Sequence, residues 1–208
     1  MTPDELLNIT SAAIVTTGNL KNPTVKGTPE LIAFRLDTMF KGQPAGAAAP
    51  AIPVYNLVKT DNQMTGFKAY ICPYEQGKTF YTWLGSDADF MFTPSMNGCT
   101  FGIGMPNAAG DVLVCHSNSA KSGGNTPPDV QALVQRHLVE QALPEGGLIL
   151  EPKDYRTIGK EQATTFGIRR AGAWEFYVHT YLFLGQQTFK AVSTTPINGG
   201  QYALAPAW

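Results

Sequence analysis

Long apolar runs are missing from this 208-residue sequence. No stretch approaches the roughly 18 consecutive apolar residues of a membrane-spanning helix; the most hydrophobic window, Trp174 to Leu184, is broken by Glu175, His179 and Thr180. An excess of one charge is missing as well. The 15 Lys and Arg against 16 Asp and Glu leave a formal net charge of -1. No overall field draws such a chain to phosphate backbones or anionic membranes, so nucleic acid is not expected as a partner. Cysteine is sparse: Cys72, Cys99 and Cys115 cannot all pair, and their spacing matches neither a disulfide framework nor a CxxC metal knuckle. At least one thiol is therefore free. The opening Met1-Thr-Pro-Asp-Glu-Leu-Leu carries acid where a secretory signal carries positive charge, so Sec-type export is not implied and a soluble protein is expected.

Aromatic residues are plentiful, with 11 Phe, 8 Tyr and 3 Trp, and 43% of residues are hydrophobic against 15% charged. That balance can bury a core and fits one globular domain over residues 1–208. The 21 Gly and 15 Pro point to many short elements joined by turns. Three helices are expected. The first runs from an N-cap at Thr2 with Pro3 and Glu5 to about Ala13; the second starts at Thr28-Pro29-Glu30, carries Leu31, Ile32, Phe34, Leu36 and Met39, and stops at Gly42. The third starts at Thr126-Pro127-Pro128-Asp129 and carries Val130, Leu133, Val134, Leu138 and Val139 to Ala142. Gln43 to Pro53 reads as an irregular crossing. A meander of short strands is expected at Val54–Lys59, Thr65–Cys72, Thr79–Leu84 and Ala88–Phe92, and further strands at Leu148–Leu150, Thr164–Arg169, Trp174–Leu184 and Thr188–Ser193. This order predicts an α+β fold, a mixed or antiparallel β-sheet sandwich flanked by helices.

One segment stands apart. Phe92-Thr93-Pro94-Ser95-Met96-Asn97-Gly98-Cys99-Thr100-Phe101-Gly102-Ile103-Gly104 and Val112-Leu113-Val114-Cys115-His116-Ser117-Asn118 flank a Pro-Asn-Ala-Ala-Gly-Asp turn, the pattern of a hairpin. With Pro106 facing Ala109 across the tip, Cys99 falls opposite His116, and the two side chains share a face about 4.5 to 5.5 Å apart at Cβ. A one-residue slip would separate them. A neighbouring imidazole turns a mostly protonated thiol into a nucleophile, which makes Cys99 and His116 candidate catalytic residues. Asn97-Gly98 favours a tight turn that would present Cys99 and leave backbone N–H groups for an oxyanion hole. Thr93, Asn118 or a backbone carbonyl would orient His116. Alternation puts Cys115 on the other face, and Cys72 lies in an apolar strand, so both read as core thiols. Against this stands a reading in which Cys99 and His116 are also core residues.

Other features point to structure. His137 falls on a polar helix face, and His179 shares a strand face with Tyr177 and Tyr181 as a core or pocket-lining residue. Asp87 and Asp89 solvate an edge. Gly102-Ile103-Gly104 lacks the third glycine of a dinucleotide fingerprint, and its glycines are expected to let another backbone or a substrate approach the strand closely.

The run Thr93-Pro-Ser-Met-Asn-Gly-Cys99, followed by His116 on the next strand, resembles the glutamine deamidase toxins of the cytotoxic necrotizing factor type and their compact single-domain Burkholderia lethal factor branch. In these proteins a Leu-Ser-Gly-Cys motif holds the nucleophile and a downstream His is the base; here Gly98-Cys99 is retained, and Thr93 stands six residues before Cys99. The resemblance implies a single catalytic domain with Thr93, Cys99 and His116 as its site, no metal and no cofactor. It further implies a monomer that takes a host-protein glutamine as substrate, delivered by a specialised secretion route to act in the host cytoplasm. The same thiol and imidazole would also serve a papain-like peptidase or a peptidoglycan amidase. A non-catalytic β-rich binding or assembly protein is the alternative from another class.

Overall fold

A computed structural model describes residues 13–15, 27–36, 38–39, 41–43, 53–119, 127–143, 147–156, 159–186 and 188–202. The early strands are β1 (Ala13–Val15), β2 (Glu30–Leu36), β3 (Lys41–Gln43), β4 (Val54–Lys59), β5 (Phe67–Ile71), β6 (Lys78–Leu84) and β7 (Phe90–Phe92). Then come β8 (Thr100–Ile103), β9 (Val112–Asn118), helix α1 (Pro128–Ala142), β10 (Leu148–Leu150) and helix α2 (Pro152–Tyr155). The chain continues through β11 (Gln162–Arg170), β12 (Ala173–Gly185) and β13 (Thr188–Tyr202).

This is a β protein, and the expected helix-flanked α+β sandwich is not formed. Nine strands in the order β1-β4-β2-β5-β7-β11-β12-β13-β3 make one sheet that curls almost closed like a barrel, while β10-β8-β9-β6 form a second, four-stranded sheet. The main cause is the segment expected as a second helix. Ile32, Phe34 and Leu36 also alternate with period two, and Glu30–Leu36 pairs antiparallel with β4 on one side and β5 on the other. A short apolar run fits either period, and two available partner strands decide for extended chain. The first expected helix falls on residues outside those described, except that Ala13 opens β1. Most of the crossing expected between Gln43 and Pro53 also lies outside them.

The short strands form where their sequences suggest, but not as a meander. β5 pairs in parallel with β7, whereas β6 leaves for the second sheet and pairs with β9. One face of the large sheet buries Ile32, Leu57, Ile71, Phe92 and Phe166. The opposite face contributes Met91, Trp174, Phe176 and Val178 to a cluster shared with Phe101, Ile103 and Val114 of the second sheet. The second sheet is thus sandwiched between the large sheet and α1.

Helix α1 has the predicted start, with Pro128 in its first turn, and predicted extent. Its packing differs from the apolar stripe. Gln135 and Val139 are buried, and Val130, Leu133, Val134 and Leu138 are exposed. The helix sits so close to β8 that a Cβ on Gly102 would collide with Val139 and Leu143. The close approach expected at Gly102 is present, but the approaching groups are the side chains of Val139 and Leu143 rather than another backbone or a substrate.

Candidate functional site

The hairpin of β8 and β9 carries the candidate site, in a register different from the expected one. Thr100 faces Ser117 and Phe101 faces His116. Asn107 decides this. Its side-chain Oδ1 accepts the N–H groups of Ala109 and Asp111 at 2.9 Å each, its own N–H donates to the Asp111 carbonyl at 2.9 Å, and Gly110 supplies a φ of 84°. The chain therefore reverses one residue later than the Pro106–Ala109 tip, and every pair moves by two. A shift of two keeps each side chain on its face. Continued one residue beyond the ladder, the register sets Cys99 opposite Asn118 and diagonal to His116, where Cβ atoms lie about 7 to 8 Å apart or somewhat less.

Cys99, His116 and Asn118 all point into the space between the two sheets. Cys99 and His116 are each 1% exposed. The Asn97 backbone N–H and the Asn118 side chain lie beside the sulfur and favour its thiolate, yet burial outweighs both and pushes the Cys99 pKa up to about 12. Burial also lowers the His116 pKa to about 4, opposed by a weaker pull from the Cys72 backbone. Neither His116 ring nitrogen makes a hydrogen bond of ordinary geometry. At neutral pH both groups are uncharged in this arrangement.

Two tyrosines that the sequence reading passed over complete the surroundings. The Tyr74 ring stands 5.8 Å from the imidazole of His116, and its hydroxyl lies beside Asn118, whose amide favours the phenolate against the larger effect of burial. Tyr155, at the end of α2, donates to the Cys99 carbonyl at 2.9 Å and accepts the Gly98 N–H at 3.0 Å. The Asn97-Gly98 turn forms as expected, with Gly98 at φ 92°. The Gly98 N–H, however, is held by Tyr155. The run Glu151-Pro152-Lys153-Asp154 signals the helix that brings Tyr155 in, because Asp154 accepts the Glu151 N–H at 2.7 Å as a cap. Tyr74 carries no comparable signal; it sits in irregular chain between β5 and β6.

Thr93 is placed differently from the other candidates. Its hydroxyl donates to the Thr165 carbonyl at 3.3 Å and accepts the Thr165 N–H at 3.0 Å, which fixes it to β11 of the large sheet. Cys115 lies on the opposite face of β9 from His116, where burial raises its pKa to about 12, and Cys72 is fully buried. His137 is exposed and bonded to Gln141 at 2.9 Å. His179 is buried in the large sheet beside Tyr181, with Nδ1 2.9 Å from the Thr194 hydroxyl. Among the described residues no group of three or more His, Cys, Asp or Glu is placed to hold a metal ion. Among the described residues no helix is long and apolar enough to cross a membrane.

The constellation can hold a thiol against an amide donor and a backbone donor, with an imidazole on the same face. Searches against family models and against curated proteins found no match to this chain.

Proposed function

We propose that this protein is a cysteine-dependent amidohydrolase that deamidates a glutamine side chain of a protein substrate. The observation that carries the reading is that Cys99, in the turn just before β8, faces the same inter-sheet space as His116 and Asn118 of the neighbouring strand β9, with Asn97 and Asn118 beside the sulfur. In the reaction the Cys99 sulfur adds to the amide carbon as its proton passes to His116. The imidazolium returns the proton to the departing nitrogen, ammonia leaves, and a thioester forms. Water, deprotonated by the neutral imidazole, then cleaves the thioester to a carboxylate and regenerates the thiol. The net change is one negative charge on the target surface, which suits a bacterial toxin or effector that disables a host protein.

The arrangement described is a closed form on this reading. Burial opposes charge on both groups, raising the thiol and lowering the imidazole, so moving the proton from one to the other inside the enclosure is unfavourable. Turnover therefore requires an opening that admits substrate and water to the pair. Incubation with a glutamine-bearing protein, read by ammonia release and intact mass, tests the activity. Ammonia with an uncut chain supports deamidation, new termini identify a peptidase, and a fully active Cys99→Ser variant overturns the thiol mechanism.

The near-complete burial of Cys99 and His116 favours a second reading, a non-catalytic β-rich binding or assembly protein with both residues in its core. Alkylation by iodoacetamide at pH 6 and pH 8.5 separates the two. On the catalytic reading Cys99 labels at pH 6 ahead of Cys72 and Cys115; on the core reading all three label slowly and alike.

A further inference from the structure

A cleft of about 330 Å3 opens where β10 and α2 meet β12 and β13. Its apolar wall includes Leu150, Val178 and Ile197, which belong to the same packed cluster as Cys99. Its polar wall is Thr180, Ser193 and Thr195, and the hydroxyls of Thr180 and Ser193 lie 2.7 Å apart. Asp154 and Tyr155 of α2 close the remaining side. Tyr155 therefore belongs both to the cleft and to the turn that holds Cys99, since its hydroxyl bonds Gly98 and the Cys99 carbonyl.

The chemistry of this lining selects a class of ligand. Hydroxyls both donate and accept, as a carboxamide does, and the aliphatic side chains suit a methylene stem. No Lys or Arg is among the described lining residues, and the Asp154 carboxylate disfavours an anion. We infer that this cleft receives the neutral carboxamide arm of the substrate, and that Tyr155 is a positioning residue standing between the cleft and Cys99 until its ring moves aside. The inference rests on the amidohydrolase reading. It adds where the substrate enters and why the product leaves: deamidation turns the arm into a carboxylate, which Asp154 repels.

Two alkylating agents of nearly equal size test it, neutral iodoacetamide and anionic iodoacetate, with labelling of each cysteine read by mass spectrometry. Thr195 is exposed at the rim, so Thr195→Trp fills the route without entering the core. This variant is expected to slow Cys99 labelling by both agents about tenfold, as obstruction of a buried thiol should, and to leave Cys72 and Cys115 unchanged. Asp154→Asn is expected to speed iodoacetate at Cys99 about threefold with little effect on iodoacetamide, the scale of one charge near solvent. Cys99 rates that match wild type in both variants overturn the cleft as the route. Ammonia release, measured in parallel, keeps the two ideas apart. Turnover with no effect of either variant leaves the amidohydrolase standing and removes the cleft. Obstruction by Thr195→Trp without any turnover keeps the cleft as the route to Cys99 but removes the amidohydrolase and, with it, the carboxamide arm as the ligand. A Cys99 that neither labels nor turns over removes both.

Discussion

The phenol of Tyr155 donates to the carbonyl of Cys99 at 2.9 Å, and the same oxygen accepts the neighbouring Gly98 N–H at 3.0 Å. One side chain on a four-residue helix thus satisfies two backbone groups of the turn before β8. Burial pushes the Tyr155 pKa up strongly, so the phenol stays protonated and remains a donor throughout the accessible pH range.

Tyr155→Phe keeps the ring and removes both bonds. Leaving a buried N–H and carbonyl unpaired is expected to cost about 1 to 3 kcal/mol, read as a lower urea midpoint at unchanged slope. Cys99 should also alkylate faster in this variant, because the turn before it is no longer tied to α2. Unchanged stability together with unchanged labelling would show that the tyrosine fills space and nothing more.

Acid should weaken the fold before ordinary carboxylates titrate. His116 and His179 both have pKa values lowered to about 4 by burial, below the 6.5 of an unfolded histidine. Between those values the unfolded chain binds more protons than the folded one, so stability is full above about pH 6.5 and declines as pH falls toward 4. Each histidine contributes on the order of 3 kcal/mol to that decline. Urea midpoints measured across pH 4 to 7 should show it, and His179→Gln should flatten the slope by about half. A flat wild-type profile would contradict the burial of both rings.

Gly102 should tolerate no side chain. The Cβ of Gly102→Ala meets Val139 of α1 and Leu143 just after it, and a forced shift of the helix is expected to cost about 1 to 3 kcal/mol. Hydrogen exchange should then accelerate across Pro128–Ala142 more than across β11 and β12. Equal protection in both regions would mean that α1 does not depend on this contact.

The buried pair Gln135 and Thr100, joined at 2.9 Å, should behave non-additively. Either Gln135→Leu or Thr100→Val leaves one polar partner buried alone and should cost about 1 to 2 kcal/mol. The double variant removes both and should cost less than the sum by at least about 0.5 kcal/mol. Strict additivity in a denaturation cycle would place the two groups in separate environments.

Sequence alone determined the local elements wherever punctuation and periodicity agreed. Pro127-Pro128-Asp129 starts α1, the run Val112 to Asn118 is a strand, Asn97-Gly98 is a turn, and alternation puts Cys99 and His116 on one face with Cys115 on the other. Tertiary structure decided what local signals leave open. Glu30–Leu36 became a strand because β4 and β5 stood ready on both sides, while the same side chains at roughly helical spacing read equally well as a helix. The partner of Cys99 was set by where the Asn107 side chain capped the hairpin, a choice of one residue that moves every pair by two. The pKa values of the thiol and the imidazole depend on water, and water was excluded by the large sheet packed over the hairpin and by Tyr155, which arrives from 56 residues further along the chain. Periodicity is a property of neighbours in sequence, whereas desolvation and strand pairing belong to whatever the rest of the chain brings alongside.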